Sequence, residues 1–290
     1  MTFGEALTMV MLSLITREAP DIERNEQRLE RYEKDIAHMV AVDKKIVGTR
    51  TDLFDDPRIA RMLLGTVRYS ESRFLSKPRD GDCRLTSLPD QKKLKAVFKA
   101  KGEVTPAWVF ARTKRCPAMG PMQIAYDSHA LIHLWKEGQA AELPARLTPN
   151  QLRDPETNVL MGYTILLHWK NASAEAAAKR TDNTPLPGVW LTAYRRGSLP
   201  PPSPKTVFHI DNDAKGRCKR MTHMMTELER LSKESEAKAT ASKAEVKPTS
   251  FSFRIPADFR CGHESKPAPK NIAEKNGEGT EGQAKAAPRE

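Results

Sequence analysis

Apolar positions recur at helical spacing along most of the chain. Few segments alternate between apolar and polar residues as a β-strand does. In residues 21–46 the apolar side chains fall on one stripe, with charges elsewhere, which is typical of a helix with one buried face. Residues 58–71 are apolar on most faces, the pattern of a central buried helix, and residues 158–169 and 189–196 resemble them. The sequence therefore predicts a mainly α-helical fold.

The first apolar segment, Ala6–Ile15, has the length of the hydrophobic part of a signal peptide. Its flanks do not suit that role, because Glu5 rather than a basic residue precedes it and no small-x-small cleavage site follows. We expect a buried N-terminal helix here. The alternative is a start codon placed late within a longer signal sequence.

Composition changes along the chain and suggests three regions. Residues 1–51 are predicted to form an N-terminal helical extension, and residues 52–231 a helical domain that ends in a helix over 217–231. From Ser232 onwards Lys, Glu, Ala, Ser, Pro and Gly dominate, and the one apolar island is Phe251–Ile255. Residues 232–290 are therefore predicted to be a disordered, low-complexity tail.

The charge distribution narrows the choice of partners. The 290-residue chain carries a net charge of +11, and residues 52–231 alone account for +10 of it. A basic domain favours a polyanion such as nucleic acid, an anionic cell wall or an acidic membrane. Nucleic acid is not expected, because aromatic residues make up only 6% and no nucleic-acid motif accompanies the charge. No apolar run approaches the ~20 residues of a membrane-spanning helix.

Candidate metal and cofactor ligands are sparse. The four cysteines include no Cys-x-x-Cys pair, which argues against a zinc ribbon or a thioredoxin-type redox site. His129 and His133 have i, i+4 spacing, but no Glu follows His129 as a zinc protease requires. There is also no phosphate-binding glycine loop. We therefore expect neither a metal site nor a cofactor.

Four short segments carry the candidate chemistry. Residues 64–74 end an apolar helix with Glu-Ser-Arg-Phe, and residues 120–123 are Gly-Pro-Met-Gln. Residues 154–162 begin Asp-Pro-Glu-Thr-Asn, and residues 191–197 contain Ala-Tyr-Arg-Arg-Gly. In this order they resemble the motifs of the soluble lytic transglycosylase family, over about half of the chain.

That resemblance implies a lysozyme-like, mostly helical domain acting on peptidoglycan glycan strands. Such an enzyme cleaves the bond between N-acetylmuramic acid and N-acetylglucosamine and leaves 1,6-anhydromuramic ends. It would be periplasmic, secreted or phage-associated, since peptidoglycan is met there. The sequence does not predict the oligomeric state.

The resemblance assigns the catalytic role to Glu71 alone. A glycosidic oxygen is a poor leaving group and must be protonated as its bond breaks. Glu71 lies at the end of an apolar helix and is expected to be walled by residues such as Tyr69 and Phe74. The substrate-binding positions that the resemblance implies are Ser72, Met122, Gln123 and Tyr194.

Two alternatives remain open at the level of sequence. A hydrolytic lysozyme of the goose type needs a second carboxylate, and Asp80 or Asp82 could supply it. A degenerate, non-catalytic glycan-binding module is the other alternative, because Arg195 and Pro121 replace the Asn and Leu of the family pattern.

The distance between the first two motifs exceeds that of the simplest family members. Cys83 and Cys116 flank this insertion, and a disulfide between them would contribute on the order of 3–4 kcal/mol and imply an oxidising compartment. Two unpaired thiols are the alternative. Cys218 and Cys261 form a less convincing pair, because Cys261 lies in the predicted tail.

Overall fold

The structure of the protein is a computed structural model. This structure describes residues 1–78, 81–82, 92, 95–96, 99–100, 102, 117–125, 149–178, 186–200, 208, 210–241 and 251–262. The described part is mostly helical, as the hydrophobic periodicity predicts. Its bounded helices are α1 (Phe3–Glu18), α2 (Pro20–Glu23), α3 (Glu26–Val47), α4 (Pro57–Ser72), α5 (Pro149–Arg153), α6 (Pro155–Ala178), α7 (Pro187–Arg196) and α8 (Asn212–Ala241).

Three very short strands form an antiparallel ladder in the order β1-β2-β3. They are β1 (Gly81–Asp82), β2 (Pro117–Met119) and β3 (Ile124–Ala125). Asp82 lies opposite Pro117, and Met119 lies opposite Ile124. The ladder therefore fixes both ends of the turn that contains the Gly-Pro-Met-Gln motif.

Local capping chemistry sets the helix starts. Thr2 and Glu5 form a reciprocal capping box at the start of α1. Asp56 caps α4, and Pro57 occupies its first turn, where a missing N–H costs nothing. Asp154 accepts hydrogen bonds from the backbone and hydroxyl of Thr157 at the start of α6, both at 2.9 Å.

Helix α4 is buried along most of its length, and α3, α6 and α8 pack around it. Helix α1, the apolar segment at the N-terminus, contributes Leu7, Met11 and Leu14 to the same core, each fully buried. Residues 1–51 thus share one hydrophobic core with the rest of the described chain. No helix in the described residues is both long enough and apolar enough to span a membrane.

The C-terminal region differs from the sequence prediction. Helix α8 continues through residues 232–241 instead of ending near Leu231. Residues 251–262, called the C-terminal strap from here on, pack on the core through the buried rings of Phe251 and Phe253. The hydroxyl of Ser232 accepts a hydrogen bond from the Phe253 N–H at 3.0 Å and donates one to the Phe251 carbonyl at 3.2 Å. The apolar island is therefore enough to fold this part of the predicted tail onto the domain.

A disulfide also secures the strap. Cys218 in α8 pairs with Cys261, with a Cα–Cα distance of 5.3 Å. The Cys261 carbonyl accepts a hydrogen bond from the Gly188 N–H at the start of α7, at 2.7 Å. The less convincing cysteine pair is thus the one that the described structure contains. Cys83, Cys116 and residues 263–290 lie outside the described residues.

Candidate active site

Glu71 occupies the last turn of α4, where the buried helix reaches the surface, and its side chain is 23% exposed. The helix ends at Arg73, whose left-handed backbone (φ 54°) is followed by a second positive φ of 65° at Phe74. Left-handed conformations are costly for residues with side chains and persist only where surrounding packing holds them. Phe74 is fully buried, with its ring centroid 5.2 Å from that of Tyr69. This aromatic contact holds the strained end of the helix that carries Glu71.

A buried arginine from α8 contacts Glu71. The Oε1 atom of Glu71 accepts a hydrogen bond from Arg217 Nη2 at 2.7 Å, and Arg217 Nε donates to Asp213 at 2.7 Å. The Arg217 side chain is only 3% exposed. Burial lowers the pKa of Arg217, but the carboxylates of Glu71 and Asp213 outweigh it, so the pKa is raised overall. Sequence reasoning missed Arg217, because its partner lies 146 positions away.

The Gly-Pro-Met-Gln turn connects β2 to β3. Gly120 has a φ of 68°, and a Cβ there would lie 2.4 Å from Asn158 Nδ2, so the position requires glycine. Gln123 has a positive φ of 48°, and its backbone N–H and side-chain Nε2 both donate to the Gly120 carbonyl, at 2.9 and 3.0 Å. Gln123 therefore closes the turn on itself.

Asn158 links this turn to α6. The side chain is fully buried, and its Oδ1 accepts a hydrogen bond from the Met122 N–H at 2.7 Å. Its Nδ2 donates to the carbonyls of Met119 and Leu152, both at 2.8 Å. The Asp-Pro-Glu-Thr-Asn motif thus has a structural explanation, since Asp154 starts the helix and Asn158 holds the neighbouring turn.

Tyr194 in α7 reaches the same turn from the other side. Its hydroxyl donates a hydrogen bond to the Met122 carbonyl at 2.9 Å. Burial and then the charge of Glu71 raise the pKa of Tyr194 well above its usual range, against an opposing contribution from Arg217. The charge of Glu71 therefore reaches Tyr194, but the hydrogen bond of Tyr194 goes to Met122 and not to Glu71.

Two predicted substrate-binding residues have structural partners instead. Ser72 is buried and donates from Oγ to the Arg68 carbonyl at 3.1 Å, within its own helix. The N–H and C=O of Met122 are taken by Asn158 and Tyr194, so neither backbone group is free to bind a sugar. Both residues shape the site.

The remaining candidates are described in part or not at all. For Asp82 the structure describes the backbone, which pairs with Pro117. Asp80, His129 and His133 lie outside the described residues. Among the residues that are described, no three His, Cys, Asp or Glu side chains converge on a possible metal position.

Comparison of the chain with family models, curated proteins and solved structures finds no significant match. The class of protein must therefore be inferred from the motifs and from the geometry of this site.

Proposed function

We propose that the protein is a lytic transglycosylase that cleaves peptidoglycan glycan strands with Glu71 as its catalytic acid and base. The observation that carries this proposal is the convergence of the motif segments. The turn at Met122 is held by Asn158 on one side and by Tyr194 on the other, and Tyr194 lies within electrostatic range of Glu71. Residues up to 72 positions apart thus meet at one turn, and the charge of Glu71 reaches Tyr194 beside it.

The exposure of Glu71 suits proton transfer to a bound glycan. One carboxyl oxygen is anchored by Arg217, whereas Oε2 has no hydrogen bond to any described residue. In the proposed reaction, Glu71 gives a proton to the glycosidic oxygen as the bond to C1 breaks. It then takes the proton of the C6 hydroxyl, whose oxygen bonds to C1 and closes the 1,6-anhydro ring. The hydroxyl competes well with water because it is already held beside C1.

Charge and disulfide chemistry also support this proposal. The net charge of +10 on residues 52–231 suits adhesion to an anionic cell wall. The Cys218–Cys261 disulfide suits an oxidising compartment, where peptidoglycan is met. We accordingly propose a periplasmic, secreted or phage-associated location.

Glu71→Gln tests the proposal, because it removes the acid while keeping the shape of the side chain. On purified cell walls in a zymogram, we expect the rate of glycan cleavage to fall by about 10²- to 10⁴-fold or more. Glu229→Gln is the matched control, since Glu229 lies on the surface of α8 and pairs with Lys233. Wild-type cleavage by the Glu71→Gln variant, with the control also active, would contradict the assignment.

A hydrolytic lysozyme is the second candidate, favoured by the position of Asp82. The β1–β2 ladder places the Asp82 backbone in the same small sheet as the turn that carries Gln123. In this mechanism, Asp82 would position a water molecule, and the products would carry reducing ends. Glycan binding without cleavage would instead indicate the degenerate, non-catalytic module.

A further inference from the structure

The Glu71 carboxyl is held by a helix outside the segment that carries the four motifs. Arg217 lies in α8, 20 positions after the last motif ends at Gly197. Its Nη2 donates to Glu71 Oε1 at 2.7 Å. Asp213, one turn earlier in α8, holds the same guanidinium at 2.7 Å. The three side chains therefore form a chain of contacts that starts in α8 and ends at Oε1 of the candidate catalytic carboxyl.

The contact uses only part of each charged group. Arg217 Nη1 is buried and has no hydrogen-bond partner in the described part of the protein, although the other two guanidinium nitrogens are bonded. Likewise, Glu71 is bonded through Oε1 and leaves Oε2 without a partner among described residues. Burying an arginine with an unsatisfied N–H is costly. Arg68, in its completely buried pair with Asp43, also leaves an Nε unbonded among the described residues, so the feature that sets Glu71 apart is its free Oε2 on a partly exposed side chain.

We propose that Arg217 is a positioning residue for Glu71: it holds Oε1, so that the proton given to the glycan is carried on Oε2. Asp213 orients the guanidinium and balances its charge. The disulfide at Cys218, the next residue, ties this part of α8 to the C-terminal strap. The catalytic consequence rests on the proposed function, whereas the effect of Arg217 on the carboxyl can be measured without substrate.

Removing the guanidinium changes the electrostatics around the carboxyl. A cation at hydrogen-bond distance favours the ionised carboxylate over the protonated acid. Arg217→Met takes away both this cation and the hydrogen bond that Glu71 Oε1 accepts. Asp213→Asn leaves that hydrogen bond in place and alters only the support of the guanidinium, so its effect should be smaller.

The substrate-free test is carbon NMR of labelled glutamate carboxyls at one fixed pH, with the Glu71 signal assigned by its loss in Glu71→Gln. We expect the chemical shift of the Glu71 carboxyl to change in Arg217→Met, which removes its hydrogen bond, and to stay unchanged in Arg230→Met. Arg230 is a matched control because it also bridges two carboxylates, Glu227 and Glu234, but on the surface. An unchanged Glu71 chemical shift in Arg217→Met would overturn the proposal.

The kinetic test separates positioning from binding. A misplaced catalytic group costs about 10²-fold in rate, so we expect kcat to fall by about that factor in Arg217→Met with KM nearly unchanged. Arg217→Lys should recover part of the loss, because it restores a cation but not the simultaneous contact with Glu71 and Asp213. Equal loss in Lys and Met variants that melt like wild type would overturn positioning by the guanidinium.

The two proposals fail in different ways. If wild-type protein does not cleave peptidoglycan, the proposed function fails, and the NMR measurement still decides whether Arg217 holds the carboxyl. If Glu71→Gln is inactive while Arg217→Met keeps both the wild-type kcat and the wild-type chemical shift of the Glu71 carboxyl, only the role of Arg217 fails. Should Arg217→Met not fold, Arg217→Lys and Asp213→Asn provide the same two readouts.

Discussion

Two buried arginine–carboxylate pairs lie within one turn of each other on α4, and they differ in what they leave free. In the first pair, Arg68 bonds both carboxyl oxygens of Asp43, and both side chains are completely buried. In the second, Arg217 bonds one oxygen of Glu71, which is 23% exposed. The Arg68–Asp43 pair, called the sealed pair from here on, is closed to solvent and can only hold helices together. A carboxyl with one free oxygen at the surface, as in Glu71, can also exchange a proton.

The surroundings of the sealed pair support its structural role. Burial raises the pKa of Asp43 and outweighs the opposing charges of Arg68 and Arg61. Asp43 lies in α3 and Arg68 in α4, so the pair joins the N-terminal helices to the central helix. The N-terminal region therefore stabilises the helix that presents Glu71.

Breaking the sealed pair should have the largest effect on stability. Asp43→Ala leaves the Arg68 guanidinium buried without its carboxylate, which typically costs about 3–5 kcal/mol. Chemical denaturation should show this loss. Glu71→Gln should change the free energy of unfolding by less than about 1 kcal/mol, because its partly exposed side chain keeps a hydrogen-bond acceptor. Similar losses in both variants would contradict the distinction between the two pairs.

Releasing the C-terminal strap should have the next largest effect. Replacing Cys218 and Cys261 by Ser removes a crosslink over 43 positions, and loss of such a disulfide costs roughly 2–4 kcal/mol. Thermal unfolding of the double variant measures it. Truncation after Leu231 should cost more, because it also removes the buried rings of Phe251 and Phe253. A truncated protein that melts like the full chain would show that the strap contributes nothing.

The smallest effect is expected at Glu18, on an outer contact of α4. Burial raises the pKa of Glu18, but hydrogen bonds from Tyr69 and Arg220 outweigh it, so the pKa lies below its ordinary value. A lowered carboxyl pKa stabilises the fold above about pH 4.5, and the contribution is lost as pH falls through the folded-state value. The Glu18→Gln variant should therefore lose less stability than wild type as the pH falls below about 4.5, and the difference should be less than about 1 kcal/mol. Urea unfolding at a series of pH values checks this.

Local signals made much of the fold predictable. The periodicity over residues 58–71 indicated the central helix, and that over residues 158–169 indicated the middle of α6. The strap was not predictable from composition, because its folding depends on a few apolar residues and one cysteine within a polar stretch. Arg217 was missed for a related reason, since no local pattern separates it from the other basic residues of α8.

Three of the four motif segments meet at Met122, but the sequence did not show how each residue is used. Tyr194 and Met122 lie together, but the Tyr194 hydroxyl donates to the Met122 carbonyl rather than to a carboxylate. The Met122 N–H is likewise taken by Asn158 and is not open to a substrate. Asn158, which had no assigned role, makes three hydrogen bonds that hold the turn. The donor and acceptor of each bond are decided by how α6 and α7 pack against the turn between β2 and β3.

The central claim is that Glu71 carries out an intramolecular ring closure on its own. Mass spectrometry of the muropeptides released from purified peptidoglycan tests it most directly. Our account predicts anhydromuramic products, each lighter by one water than the hydrolysed equivalent, from the wild-type protein and none from Glu71→Gln. Predominantly hydrated products that disappear on Asp80→Asn or Asp82→Asn would contradict it and show a lysozyme.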